Sequence, residues 1–339
     1  MRFLFLTVLF LSSLAHAQWT LQQSHTTANL RGIHNVGKGV AWASGSNGTV
    51  LRTTDGGQNW QLCSTPAGSD KLDFRAIWAW DATNAIVMSA GPGDQSRIYR
   101  TADGCQTWSL ELTNNKKDGF WDAMVFHDGK TGVLIGDPVL GRFDTYTRRD
   151  DSWSVDASSC AANPDEAAFA ASNSSVFVFG PDRFIIGTGG KSGPRAVLSP
   201  LLADRKDKKR CLGVPVPLAS GSETAGVFSL AFRDLSHGIA VGGDYKLPTA
   251  SRGTAAWTVD GGHHWTAASK PPHGYRSSVA WFLDKSIWIA AGTNGSDISY
   301  DDGKTWRPLD SGNWNGLSPP FVVGPNGRIA ILDPSSLKH

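Results

Sequence analysis

Glutamate is scarce in this sequence: only Glu111, Glu166 and Glu223 occur in 339 residues, and methionine is no commoner. Both are good helix formers, so their shortage argues against a helical fold, while 38 glycines and 14 tryptophans point to short strands and many turns. Neither sign of charge is in excess, the formal net charge being +2, which gives no electrostatic reason to expect nucleic acid or an anionic membrane as partner. The four cysteines, Cys63, Cys105, Cys160 and Cys211, form no CxxC pair and are too widely spaced for a zinc site. Two disulfides in any of three pairings, or buried thiols, remain. Dinucleotide-binding, nucleophile-elbow and HExxH motifs are missing, so no metal and no cofactor are expected, and oxidoreductase chemistry is set aside.

Beyond the first residues no apolar run reaches membrane-spanning length. The start, "MRFLFLTVLFLSSLAHAQW", has an early arginine, an apolar run and small residues around His16, the pattern of a secretory signal peptide cleaved after Ala17. No cysteine follows to carry a lipid anchor. The expectation is a cleaved signal, 1–17, and a single exported domain, 18–339. It would be periplasmic or extracellular, peripheral to a membrane at most, and monomeric.

Repetition dominates what is present. "TTDGGQNW" (53–60) returns as "TADGCQTW" (101–108), "TVDGGHHW" (258–265) and "SYDDGKTW" (299–306), with a decayed copy in "TRRDDSWS" (147–154). The steps are 40 to 50 residues, the period of a propeller blade, and the gap between the second and third copies accommodates three steps. In the second period "FRAIWAW", "AIVMSAG", "RIYRT" and "TWSLEL" read as four strands bounded by turn residues. Seven heptads read as innermost strands, beginning at Leu30, Phe74, Phe120, Glu166, Gly226, Tyr275 and Leu317. Too few residues follow Trp306 for a complete last blade, and "WTLQQS" (19–24) resembles the outer strands. The fold class is therefore all-β: a seven-bladed β-propeller of four-stranded antiparallel blades, closed by the N-terminal strand pairing with the last blade.

The repeated octapeptide resembles the Asp-box of sialidases, sortilin-type receptors and the photosystem II stability and assembly factor-like propellers. Its aspartates (Asp55, Asp103, Asp260, Asp301) suit turn acceptors and its tryptophans (Trp60, Trp108, Trp265, Trp306) suit anchors between sheets, a structural role. One carboxylate per copy is too few for a calcium loop. In strand order each box falls on the face opposite the loops between second and third strands, where propellers usually carry function.

The candidate binding residues lie on that loop face. Arg31, Arg75 and Arg276 occupy one heptad position in blades 1, 2 and 6 and are expected to form a basic arc, with Asp122 and Glu166 opposite. The loops add Asp94, Asp137, Lys191, Asp244, Tyr245 and Arg252, and an insertion (201–213) adds Arg205, Lys206, Lys208, Lys209 and Arg210. Resemblance to the assembly factor-like propellers, carried by "FRAI" and "YRSS", implies a non-catalytic scaffold holding a protein partner on the arginines. The alternative is a glycan: a lectin-like propeller, or a glycosidase using Asp122, Glu166, Asp137 and Asp244. The tyrosine–glutamate pair and Phe-Arg-Ile-Pro stretch of a sialidase are not present.

Overall fold

The computed structural model describes residues 18–156, 160–181, 183–200 and 210–337. The expected signal peptide and insertion residues 201–209, which include Arg205, Lys206, Lys208 and Lys209, lie outside the described residues. Seven antiparallel sheets follow one another along the chain, and no α-helix occurs among the described residues. In each blade the first strand lines the channel and the fourth lies outermost; blade 1 comprises Leu30–Gly37, Val40–Gly45, Val50–Thr53 and Gln61–Leu62. The last blade holds three C-terminal strands and takes its fourth from the N-terminus, Trp19–Gln22 pairing with Ile329–Leu332. This closure is the one expected from the sequence, and it leaves the ring no open end.

The inner strands are buried on both faces because every blade is packed between two others, while fourth strands such as Gln61–Leu62 and Thr266–Ala267 are exposed. Seven apolar clusters result, one at each junction of neighbouring blades. Two disulfides reinforce two of these junctions: Cys63–Cys105 joins blades 1 and 2, and Cys160–Cys211 joins blades 3 and 4.

The repeated octapeptide is a turn between third and fourth strands with one hydrogen-bond pattern. In the first copy the Thr53 hydroxyl donates to Asp55 Oδ1 (2.8 Å) and accepts from the Gly57 N–H (3.0 Å), while Asp55 Oδ1 accepts from the Asn59 N–H (2.9 Å). The same three bonds recur around Asp103, Asp260 and Asp301. The Asn59 N–H and its side chain hold the Asp55 carboxyl at about 2, and Thr107 does the same for Asp103. Trp60 and Trp306 are buried, and all four tryptophans pack against the preceding blade. In the second copy Cys105 replaces the glycine; its φ of 66° is left-handed like that of Gly57, and its sulfur forms the disulfide to blade 1.

Blades 4 and 7 depart from the expected strands. The heptad from Glu166 is broken: Glu166–Ala167 pairs with Gly189–Gly190 and joins the blade 5 sheet, and the inner strand proper is Val176–Val178. The heptad from Leu317 straddles the end of an inner strand, Gly316–Ser318, and the whole of the second, Phe321–Val323, with two prolines at the turn.

Candidate functional site at the channel mouth

Six of the seven first strands enter the channel with a short motif: "LRGI" in blade 1, "FRAI" in 2, "WDAM" in 3, "VFSL" in 5, "RSSV" in 6 and "WNGL" in 7. The small third residue sits where neighbouring blades crowd together. The second residue is extra: register shifts between Leu30 and Gly32, Phe74 and Ala76, Trp121 and Ala123, and Val227 and Ser229 leave Arg31, Arg75, Asp122 and Phe228 outside the ladder. Ser277 and Asn315 hold the same place, their N–H groups bonding Ala291 O and Val323 O although the next residue pairs with each of those partners. A bulge of this kind re-aims a side chain that the ladder would otherwise send into the sheet.

Those six side chains converge on a cavity of about 460 Å³ at the loop-face mouth of the channel. Blade 4 contributes Ala168 to Ala171, Asp137 reaches in from a register shift near the end of the second strand of blade 3, and Tyr245 from the loop after the second strand of blade 5. One wall is aromatic: Phe169 stacks on Phe228 with centroids 3.9 Å apart, and Tyr275 meets Phe228 edge-on at 4.8 Å.

The opposite wall is charged. Arg75 Nε donates to Asp73 Oδ2 (2.8 Å) and its Nη1 to Ala170 O (3.2 Å), while Arg31 Nε lies 3.7 Å from the same Asp73 oxygen. Asp137 Oδ1 accepts from the Ala168 N–H (3.0 Å). Asp122 is 2% exposed, and its Oδ2 has no hydrogen-bond partner among the described residues. Burial, reinforced by the nearby Asp137 charge, pushes the Asp122 carboxyl well above the usual carboxylate range; burial pushes Asp137 up to about 6. Burial likewise raises the Tyr275 phenol and, with Arg75 beside it, lowers the Arg31 guanidinium.

Of the residues expected at this face, Arg31, Arg75, Asp122, Asp137 and Tyr245 meet in the cavity. Arg276 does not. It occupies the buried position of Leu30 and Phe74, fully enclosed and paired with Asp297 through Nε at 2.7 Å, and the lining position belongs to Ser277. A slip of one residue exchanges the two faces of a strand, so the expected three-arginine arc reduces to two. Glu166 is also withdrawn: it is buried against Arg195, Thr188 and the Asn163 N–H. Asp244 closes its own loop on Thr224 and the Lys246 N–H, Lys191 pairs with Glu223, Asp94 lies beside Arg97, and Arg252 is exposed. Phe169, Phe228 and Tyr275 were not singled out from the sequence, although the small-apolar pair ending each four-residue motif fixes the phase that finds Phe228.

No protein-family model matches the chain. Among curated proteins it is similar to vacuolar protein sorting/targeting protein 10 of Neosartorya fischeri, 27% identical over 116 residues, or 32% of this chain; the chain matches only 8% of that protein's length. Among solved structures it resembles one described as YCF48 bound to D1 peptide, with a TM-score of 0.64 and 14% identity over 96% of this chain and 99% of the other. YCF48 from Cyanidioschyzon merolae gives 0.62 and 19% over 95% and 100%. The WD40 propeller domain of Doa1 gives the same 0.62, at 13% identity over 95% and 100%. Likeness at this identity extends equally to propellers of different kinds, and it shows the fold.

Proposed function

We propose that this is a non-catalytic Asp-box propeller that leaves the cytoplasm and serves as a binding or assembly scaffold, holding a segment of a protein partner in the mouth of its channel. The observation that carries this reading is the convergence of six re-aimed side chains on one cavity. A cavity of about 460 Å³ takes a few side chains rather than a folded surface. The resemblance to a propeller described with a bound peptide supports the reading, and the two disulfides suit an oxidising compartment. The test is affinity capture from the source cells with the wild-type protein, Arg31→Ala/Arg75→Ala and Asp55→Ala. Loss of a specific partner in the first variant alone supports the proposal; equal capture by all three overturns it.

One observation favours a second reading. Asp122 and Asp137, two carboxyls with raised proton affinity in one cavity, are the groups a glycosidase would use. Turnover of a chromogenic glycoside, abolished by Asp122→Asn, would displace the scaffold reading.

A further inference from the structure

The charged wall of the cavity is not a basic patch. Arg31 and Arg75 share Asp73, and Asp122 and Asp137 line the same space, so two guanidiniums face three carboxyls. Two cations of the neighbouring blades, Arg195 and Lys116, are engaged by Glu166 and Asp144. With every group ionised the cluster is short of one positive charge, and burial makes such a deficit costly. A proton on either Asp122 or Asp137 would meet it.

A bound group can meet it instead. Asp122 lines the cavity, and its Oδ2, closed to solvent and unpartnered among the described residues, is an acceptor that costs stability until a donor reaches it. Asp137 adds a second acceptor whose other hydrogen bond, from Ala168, is already made. The rings of Phe169, Phe228, Tyr245 and Tyr275 line the remaining wall, surroundings that favour a cation over an anion. Building on the scaffold reading, we propose that the Asp122–Asp137 pair receives the ammonium of a lysine side chain on the bound segment, so that the mouth selects a segment by its basic residue rather than an acidic one.

The experiment is selection of displayed random octapeptides on the wild-type protein, followed by titration of the selected peptides. Peptides with lysine at a common position are expected, binding at least about tenfold more weakly when that lysine becomes norleucine, and losing the same factor on Asp122→Asn and on Asp137→Asn. Binding near pH 6 should release protons, seen as a heat that varies with the buffer's ionisation enthalpy, because an ammonium beside the two carboxyls favours their charged forms. The charged groups facing them are Arg31, Arg75 and Asp73. Selected peptides with acidic residues at the common position, or lysine peptides indifferent to both substitutions, would overturn the inference and leave the scaffold standing. If no peptide is selected, the scaffold reading fails, and this inference with it. Unfolding curves at the titration pH, expected to show both variants fully folded, guard against loss of fold.

Discussion

On one face of the ring the same eight-residue turn recurs in blades 1, 2, 5 and 6 with the same three hydrogen bonds. On the other face the same backbone device, a bulge in the first strand, carries arginine twice, then aspartate, phenylalanine, serine and asparagine. Sameness across blades follows from a task each blade performs for itself, closing a turn and anchoring a tryptophan. Difference across blades follows from a task performed once, by all of them together, around the channel. The comparison therefore separates scaffold from site without reference to any motif.

The contrast can be broken most forcefully at buried positions. Trp306→Ala, which empties the junction between blades 5 and 6, and Arg276→Ala, which strands Asp297 in the interior, should each cost about 3–5 kcal/mol in urea unfolding. A near-neutral Arg276→Ala would return that arginine to the binding face. Replacing Cys63 and Cys105 with serine should cost about 2–4 kcal/mol. Pairing Cys63→Ser with Cys105→Gly should recover roughly 1 kcal/mol of that, since glycine takes the left-handed φ without penalty.

The two faces should also respond oppositely to pH. Asp55 and Asp103 are lowered to about 2, so they contribute stability that is full above pH 4 and lost as pH falls through 2. Asp137 is raised to about 6, so the folded state binds its proton more tightly than the unfolded chain, and stability falls as pH rises from about 4 through 6. Unfolding midpoints between pH 4 and 7 should therefore slope downward less steeply in Asp137→Asn. An unchanged slope would mean that Asp137 is an ordinary exposed carboxylate. A smaller effect than that of Arg276→Ala is expected from Arg31→Ala/Arg75→Ala, because both side chains are about a quarter exposed and solvent partly screens the carboxyls left behind.

Much of the ring was legible in the sequence because the scaffold repeats. The boxes set the blade period, and the N-terminal "WTLQ" matched an outer strand closely enough to close the ring. Blade 4 is less legible: its box is missing, and Glu166 belongs to a two-residue strand that pairs with Gly189–Gly190 and is held by Arg195, not to an inner strand. At the site, Arg31 and Arg75 were found because two blades share them. Arg276 was placed wrongly because arginine was aligned with arginine, while the physical repeat is the small residue that lets neighbouring strands approach, Gly32, Ala76 and Ser278. The charge of Asp122 marks it in the sequence, but its burial near Asp137 depends on a register shift in the next strand of the same blade that no periodicity reveals.

The central claim, that the mouth binds and the boxes only support it, is tested most directly by one set of titrations: a peptide selected on the wild-type protein against Asp122→Asn, Arg31→Ala/Arg75→Ala and Asp55→Ala, each kept well below its unfolding temperature. The account predicts that both mouth variants weaken binding at least about tenfold while Asp55→Ala binds as the wild type does. Full affinity in the mouth variants with loss in Asp55→Ala would contradict it and move the site to the other face.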